Sequence, residues 1–212
     1  MNLFEFDKSF NKLIIGTDEA GRGPAAGGVF ASAVFINDFS IEKDLAKLND
    51  SKKLSKKIRE ELYDIILNNT VNSTVCIEVD EIEKTNILAC SLKAMKLACE
   101  EVISKFDGQK DDILTIVDGN KLIRNYVYPQ KFVIKGDGKS ASIAAASILA
   151  KVSRDRYMDK LDKKYPQYNW KKNAGYLTKE HAEAILKYGA TPCHRKKFLR
   201  NLLEEPKQLT LL

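Results

Sequence analysis

Three short apolar segments of this chain each end at or close to an acidic residue. They cover 13–17 before Asp18 and Glu19, 113–117 before Asp118, and 131–134 before Asp137. Each segment has the length and composition of a buried strand. Two further strands are predicted, one over 28–36, which is rich in Val, Phe and Ile, and one over 71–79. Five such segments restrict the chain to a fold built on a sheet.

Helical segments separate the later strands. Ser55 can cap a helix with apolar residues at helical spacing, and a long helix follows from Thr85. An alanine-rich helix begins near Ser140 and ends at Tyr165, before Pro166, and another helix covers 179–188. Strands first, then strands alternating with helices, predict an α/β domain with a mixed sheet. We expect antiparallel strands at the start and parallel strands, joined by crossovers, afterwards.

This arrangement of strands would bring the acidic residues together at one edge of the sheet. Ligands of open α/β sheets bind beyond the carboxyl ends of parallel strands, so Asp18, Glu19, Asp118 and Asp137 would meet at one edge. Converging carboxylates repel each other unless cations neutralise them, and all-oxygen ligands favour Mg²⁺ or Mn²⁺. Two such ions about 4 Å apart suit displacement at phosphorus. The alternative for each acid is a turn or a helix cap, since Asp before Gly is common in turns.

Asp155 competes with Asp137 for the fourth place in such a site. It lies fifteen residues beyond the predicted helix start at Ser140, which corresponds to roughly 22 Å along the helix. Asp137 lies just before that start, where the helix dipole also favours an anion. We therefore choose Asp137 and interpret Asp155 as structural, paired with Arg154 or Arg156.

The charge of the chain permits a polyanionic partner without requiring one. Lys and Arg number 35 against 29 Asp and Glu, which gives a net charge of +6. The excess forms local patches such as LNDSKKLSKK and HRKKFLR, each of which is also typical of a solvated surface. Four cysteines without C-x-x-C spacing and only two histidines argue against structural zinc. With neither a signal peptide nor a membrane-length apolar run, we predict a soluble cytoplasmic protein.

Several motifs together resemble those of ribonuclease HII, the type 2 ribonuclease H of bacteria. In chain order they are GTDEAGRGP, LNDSKKLS, NILAC, VDGN, KGDGKSASIAAASILAKVSRDR, GYLTKEH and TPCHRKKF, which extend through most of the sequence. Ala25 and Gly28 depart from the family pattern, which affects packing more than chemistry. The resemblance implies a ribonuclease H-like fold, with a five-stranded mixed sheet flanked by helices and a small helical C-terminal extension. It places the catalytic domain at 1–188 and the extension at 189–212.

The resemblance also implies an activity. The family hydrolyses RNA within RNA–DNA hybrids and cuts on the 5′ side of single ribonucleotides embedded in duplex DNA. It uses two Mg²⁺ or Mn²⁺ ions and leaves 3′-hydroxyl and 5′-phosphate ends. Its four catalytic, metal-binding acids correspond to Asp18, Glu19, Asp118 and Asp137.

Substrate-binding residues follow from the same comparison. The turn Gly21-Arg22-Gly23 corresponds to the family turn that contacts the 2′-hydroxyl, although an ordinary tight turn is the simpler interpretation of these residues alone. Tyr176 corresponds to the tyrosine that stacks on the sugar after the ribonucleotide, with a half-buried tyrosine as the alternative. The candidates for phosphate contact are Lys52, Lys53, Asn86, Lys139 and Ser140. We interpret His181 and His194 as structural or surface residues.

Other functions remain open at this point. Ribonuclease HIII, which prefers longer hybrids, shares the fold, but it lacks the Gly-Arg-Gly turn in this form. A non-catalytic hybrid-binding module would not need four intact acids, and a phosphotransferase would need a Gly-rich phosphate loop that is not present. The last five residues, from Gln208 to Leu212, resemble the peptide that docks on the bacterial sliding clamp, although a frayed terminus is the alternative. We expect a monomer.

Overall fold

A computed structural model describes residues 1–106 and 110–204. The strands are β1 Leu13–Ala20, β2 Val29–Phe35, β3 Val71–Ile77, β4 Ile113–Asp118 and β5 Gln130–Val133. The α-helices are α1 Leu3–Lys8, α2 Lys56–Asn69, α3 Val79–Lys84, α4 Ile87–Ser104, α5 Ala141–Lys164, α6 Trp170–Asn173, α7 Lys179–Tyr188 and α8 Arg200–Leu203. A short 3₁₀ turn, Gly136–Gly138, lies between β5 and α5.

The five strands form one mixed sheet in the order β3-β2-β1-β4-β5. β1 pairs with β2 and β2 with β3 in antiparallel fashion, whereas β1 pairs with β4 and β4 with β5 in parallel fashion. This confirms the predicted antiparallel start and the parallel strands that follow. It also places the carboxyl ends of β1, β4 and β5 at one edge of the sheet.

Some element bounds differ from the sequence prediction. β1 does not stop at Thr17 but continues through Asp18 and Glu19, because β2 pairs with it as far as Ala20. β3 ends at Ile77, and Val79 already belongs to α3. The helix predicted from Thr85 begins two residues later because the Asn86 side chain caps it. The predicted caps at Ser55 and Ser140 are confirmed.

Helices cover both faces of the sheet. α4 packs on one face with β1 and β2, in a core that contains Ile15, Met95 and Cys99. α5 packs on the other face, and α2 lies against α5 through Leu62 and Ile66. Gly16 allows α5 to approach β1 closely, since a Cβ added at Gly16 would lie 2.3 Å from the backbone nitrogen of Ile143. The acids at the end of β1 are therefore held between two buried helices.

The region after α5 packs around a separate aromatic cluster. Tyr168 and Trp170 stack at 5.1 Å, and Ile185 and Leu199 are buried with them. The described residues beyond Gly189 return to the segment between β1 and β2, since His194 forms an isolated β-bridge with Ala26. The division of the chain at residue 188 stays a prediction. Within residues 1–106 and 110–204, no helix has the length and apolar character to cross a membrane.

Candidate active site

The structure brings the four predicted acids to the carboxyl edge of the parallel strands. Thr17 of β1 pairs with Val117 of β4, so that Asp18 and Asp118 follow side by side on neighbouring strands. Asp137 lies in the 3₁₀ turn that follows β5. The Gly136 N–H donates a 2.7 Å hydrogen bond to Asp118 Oδ1, which joins this turn to the end of β4.

Asp18 and Glu19 point to opposite faces of the sheet, because successive side chains of a strand alternate. Asp18 lies on the α5 face, where hydrogen bonding from Ser147 partly offsets the rise in its pKa. Glu19 lies on the α4 face, where Ser91 of α4 has the same effect on its pKa. The pair therefore spans the end of β1, one carboxylate on each side.

Burial and mutual repulsion raise the pKa of three of these carboxyl groups. Burial is the main cause at Asp18, and the neighbouring charges of Glu19 and Asp118 add to it. The pKa of Glu19 is raised by burial, against an opposing effect of Arg22, whose Nη1 lies 3.3 Å from Glu19 Oε1. The pKa of Asp137 is raised by burial and then by Asp118 and Asp50. Burial and the neighbouring carboxylates thus outweigh the opposing effects of Arg22 on Glu19 and of Lys52 on Asp137.

The donor set fits a hard divalent cation. All four side chains offer carboxylate oxygens, which are the ligands that Mg²⁺ and Mn²⁺ prefer. As the side chains stand, no three acidic, histidine or cysteine residues within the described parts of the chain are grouped closely enough to hold a metal ion. Two of the carboxylates are instead turned to local donors, Asp18 to the Glu19 N–H at 2.7 Å and Asp118 to Gly136.

A cleft of about 390 Å³ opens beside these acids. It is lined by Asp18, Glu19, Ala20, Gly21, Arg22, Gly23, Ser51, Lys52, Ser147, Lys151, Arg154 and Tyr176. The cleft thus contains the complete Gly-Arg-Gly turn and Tyr176, which are more than 150 residues apart in the sequence. The same lining includes the positive side chains of Arg22, Lys52, Lys151 and Arg154.

The turn and the tyrosine are in close contact. A Cβ at Gly23 would lie 3.3 Å from Cε1 of Tyr176, whose ring is 54% exposed. Gly21 has φ +103°, in the left-handed region that favours glycine, and a Cβ there would lie 2.2 Å from Arg154 Nε. Gly21 is therefore required by its backbone conformation and by the buried Arg154 side chain. Gly23 leaves space beside an exposed aromatic ring.

The other predicted phosphate contacts have different surroundings. Lys52 lines the cleft, and Lys53 and Lys139 are exposed. Asn86 is exposed, but its side chain caps α4 by accepting the Ala89 N–H at 2.9 Å. Ser140 is fully buried and accepts the Ile143 N–H at 3.1 Å as the cap of α5. A residue with no exposed surface cannot contact a phosphate in this conformation.

Two sequence interpretations need correction. Asp155 pairs with Lys151 at 2.6 Å, one helical turn away, and not with Arg154 or Arg156. Arg156 pairs instead with Glu60, and Arg154 is buried against backbone carbonyls. In the HRKKFLR patch, His194 and Arg195 are buried, so this segment is not wholly a solvated surface.

Several cleft residues were not predicted. Ser147, Lys151 and Arg154 line the cleft from one face of α5, and their spacing of four and three residues in the sequence is the signal that identifies such a face. Ser51 Oγ lies 2.8 Å from Ser147 Oγ and so links the loop before α2 to α5. Asp50, next to Ser51, raises the pKa of Asp137. Only the folded chain brings these loop residues to the acids.

A mixed five-stranded sheet, flanked by helices and carrying acids at the carboxyl edge of its parallel strands, defines a protein of the ribonuclease H-like fold. The family model for ribonuclease HII matches residues 15–201. The chain belongs to the ribonuclease HII family and is a ribonuclease H, a hydrolase.

Similar proteins agree with this assignment. The ribonuclease HII of Fusobacterium nucleatum is 46% identical over 209 residues, covering 98% of this chain and 95% of that protein. The ribonuclease HII of Rickettsia bellii is 45% identical, covering 95% and 98%. These relatives favour type HII over the type HIII alternative.

Solved structures agree on the fold. The ribonuclease H2 of Pyrococcus horikoshii has a TM-score of 0.68 at 25% identity, over 89% of this chain and 96% of that one. The ribonuclease HII of Archaeoglobus fulgidus, solved in complex with PCNA, has a TM-score of 0.71 at 24% identity, over 92% and 98%. A ribonuclease HIII solved with Mn²⁺ has a TM-score of 0.69 at 16% identity, over 91% and 70%.

Proposed function

We propose that this ribonuclease H is an endonuclease that cuts RNA in RNA–DNA hybrids and also cuts 5′ of single ribonucleotides embedded in duplex DNA. The observation that carries the proposal is the shared cleft, in which Asp18 and Glu19, the Gly-Arg-Gly turn and Tyr176 lie together. Metal-binding acids alone would be compatible with any phosphodiesterase, whereas the turn and the exposed ring add groups that can contact and distinguish a sugar. The products would carry 3′-hydroxyl and 5′-phosphate ends.

Asp18, Glu19, Asp118 and Asp137 are proposed as the ligands of two divalent cations, Mg²⁺ or Mn²⁺. When bound, the ions would supply a nucleophilic water and stabilise charge on the leaving 3′-oxygen. The chain's own contribution is to hold four carboxylates at one edge of a rigid sheet. Burial keeps water away from them and strengthens their attraction for a cation. No side chain is needed as a nucleophile.

The substrate duplex would lie along the cleft with its sugar at the turn. The 2′-hydroxyl separates RNA from DNA, and the backbone of Gly21-Arg22-Gly23 is close enough to the cleft to meet it. Tyr176 would stack on the next sugar, where a flat ring accepts a deoxyribose. Lys52, Lys53 and Lys139 are proposed as phosphate contacts, which would affect affinity more than sequence preference. Asn86 stays a candidate phosphate contact, because the cap uses only its Oδ1 and the residue is exposed. Ser140 is left out because it is fully buried.

The test uses three labelled duplexes with purified protein and Mg²⁺ or Mn²⁺. One carries a single ribonucleotide in DNA, one pairs an RNA strand with DNA, and one is all DNA. We expect cleavage on the 5′ side of the lone ribonucleotide, cleavage within the hybrid, and no cleavage of the DNA duplex. Cleavage of the hybrid alone would contradict the proposed activity on embedded ribonucleotides and favour the type HIII behaviour.

A matched pair of variants tests the metal ligands on one strand. Asp118 lies at the carboxyl end of β4, whereas Asp112 lies just before its amino end and pairs with Lys12 at 3.1 Å. We expect Asp118→Asn to lower the cleavage rate by roughly 10²-fold or more, with duplex binding retained. Asp112→Asn should keep the wild-type rate. Near-normal turnover by Asp118→Asn would refute the ligand assignment.

The proposed partners extend to a sliding clamp. The related ribonuclease HII of Archaeoglobus fulgidus was solved as a complex with PCNA, and the sequence from Gln208 to Leu212 resembles a clamp-docking peptide. This peptide lies outside the residues that the structure describes. We propose that the protein works as a cytoplasmic monomer that binds the clamp through this peptide. Deleting 208–212 should spare cleavage and lower clamp affinity, and an intact protein without measurable clamp binding would end the proposal.

A further inference from the structure

Arg195 is a fully buried guanidinium whose every N–H has a backbone acceptor. Nε donates to Gly27 O at 2.9 Å, Nη1 to Arg22 O at 3.2 Å and Pro24 O at 2.8 Å, and Nη2 to Gly21 O at 2.7 Å and Gly28 O at 3.1 Å. A guanidinium has five N–H donors in a fixed plane, so all of them are used. The side chain therefore holds residues 21–28 as one unit.

The charge of Arg195 has no carboxylate partner among the residues that the structure describes. A buried cation without such a partner is costly unless dipoles compensate it. Burial, and then the nearby charge of Arg154, lower the pKa of Arg195 to about 10. Five carbonyl dipoles are what remains to stabilise it. A simple packing role would not require a charged group here.

The carbonyls that bind Arg195 determine where the neighbouring amides point. The peptide bonds of this turn are trans, so each C=O and the N–H of the following residue point in opposite directions. Because the carbonyls of Gly21 and Arg22 point inward to Arg195, the N–H groups of Arg22 and Gly23 point away from it. These residues line the cleft. The two amides are thus directed to the side where the substrate would lie.

The pairing of the next amides supports this interpretation. Ala25 and Ala26 both donate to Gly175 O, at 2.8 and 3.2 Å, and Gly27 donates to Cys193 O at 2.8 Å. Within the described residues, by contrast, the amides of Arg22 and Gly23 have no protein acceptor. Two donors that have no protein acceptor and belong to residues lining the cleft are available to an oxygen of a ligand.

We propose that Arg195 is a positioning residue that directs the amides of Arg22 and Gly23 into the cleft as preorganised donors to the ribose 2′-hydroxyl. The inference rests on the proposed function, since it assigns to Arg195 the orientation of the Gly-Arg-Gly turn. The proposal predicts that changing Arg195 alters how strongly the protein prefers ribose over deoxyribose. A merely structural role would lower stability without changing that distinction.

The first test compares binding of two duplexes that differ by one 2′-hydroxyl. Catalysis is blocked in all proteins with Asp118→Asn, and affinities for the ribonucleotide-containing and all-DNA duplexes are measured by fluorescence anisotropy. Arg195→Lys keeps the charge but offers three donors to five carbonyls. We expect it to lower the affinity ratio by about three- to tenfold, as the loss of one hydrogen bond would. Leu62→Ala, a buried site between α2 and α5, supplies a destabilised control whose ratio should stay at the wild-type value.

The outcomes separate the two proposals. A parent protein that prefers the ribonucleotide duplex, with the same preference in Arg195→Lys, would overturn the role of Arg195 alone. A parent protein with no preference would overturn both the recognition of embedded ribonucleotides and this inference.

A second measurement needs no substitution at Arg195 and so does not depend on the folding of that variant. Amide chemical shifts of the same Asp118→Asn protein are followed as each duplex is added. The amides of Arg22 and Gly23 should shift more with the ribonucleotide duplex than with DNA. The amides of Ala25 and Ala26, already bonded to Gly175, should respond equally to both. Equal responses at Arg22 and Gly23 would also overturn the inference.

Discussion

Single residues of the Gly-Arg-Gly turn meet two different requirements. The sequence suggests that both glycines let the backbone approach nucleic acid closely. In the structure, Gly21 faces the interior, where its Cβ position is 2.2 Å from Arg154 Nε and its φ is +103°. Gly23 faces the exposed ring of Tyr176 and has no such backbone constraint. Substitutions of the two glycines should therefore have separable effects.

We expect Gly21→Ala to lower both stability and activity. Its backbone conformation and the displacement of Arg154 together should cost about 2 kcal/mol or more in the free energy of unfolding. Gly23→Ala should change stability by less than about 0.5 kcal/mol, while crowding Tyr176 and slowing cleavage at embedded ribonucleotides. Urea denaturation and single-turnover cleavage measure the two effects. Equal destabilisation by both variants would contradict the interior role of Gly21.

The sequence predicted residues whose role is visible in the neighbouring sequence. It did not predict residues whose role depends on contacts with distant parts of the chain. Asp118 was identified because it follows an apolar strand, which is visible in five or six residues. Arg195 lies in a lysine-rich segment that reads as a solvated patch, and its five acceptors are more than 165 residues away. No spacing in the sequence signals that contact, because the fold alone brings the two segments together.

At the scale of elements, the packing of α5 on β1 fixes the position of Asp18. Gly16 and Asp18 point to the same face of β1, and α5 lies so close to Gly16 that a Cβ would be 2.3 Å from two backbone atoms. The alanines and the Ser140 cap predicted this helix correctly. The close approach at Gly16 was not predicted, because a glycine in a strand has several explanations.

Gly16→Ala should therefore be strongly destabilising. The obstructing atoms belong to the backbone of Ser142 and Ile143 and cannot rotate away, so α5 itself must shift. We expect a loss of about 3 kcal/mol in the free energy of unfolding, at the upper end for an overpacked core. Gly138→Ala, with no atom within 4 Å of its added Cβ, is the control and should change stability by less than about 0.5 kcal/mol. A tolerated Gly16→Ala would contradict the tight packing of the two elements.

A buried histidine pair joins α7 to the segment before α8. His194 Nε2 lies 3.1 Å from His181 Nε2, which also accepts the Trp170 Nε1–H at 2.9 Å. His181 Nδ1 donates to Tyr176 O at 2.9 Å, and His194 Nδ1 accepts the Thr191 N–H at 2.9 Å. Every ring nitrogen is thus used with both rings neutral. The sequence left open whether these two histidines are structural or surface residues, and the structure shows that both are buried and structural.

This pair should make stability fall in mild acid. Burial lowers the pKa of His181. Burial, together with repulsion from His181 when that ring is protonated, lowers the pKa of His194 to about 4. Between pH 6.5 and 4 the unfolded chain binds protons that the folded chain does not, so the contribution is complete above pH 6.5 and declines as the pH falls. From pH 7.5 to 5, His194→Gln should lose about 1–2 kcal/mol less stability than the wild type. Parallel denaturation curves of the two proteins across this range would contradict the prediction.

At the scale of the whole molecule, the modest excess of positive charge acts through its location. Acids crowd the carboxyl edge of the sheet, and Lys52 lies on the cleft beside them, where its charge partly offsets the raised pKa of Asp137. Lys12 lies at the opposite edge, before β1, and pairs with Asp112. The net charge of +6 would attract a duplex to either edge. Only lysines at the cleft can lie against its phosphates when it is bound for cleavage.

The dependence of duplex binding on salt should therefore distinguish the two lysines. A lysine that neutralises one phosphate contributes about 0.9 to the slope of log affinity against log salt concentration for duplex DNA. We expect Lys52→Gln to reduce the slope by about that amount, because its counterion is no longer released. Lys12→Gln removes the same charge from the far edge and should leave the slope unchanged. Titrations between low and physiological salt, on the Asp118→Asn background, give both slopes. An equal change in the two variants would show that net charge rather than the cleft governs binding, and would remove Lys52 from the proposed substrate contacts.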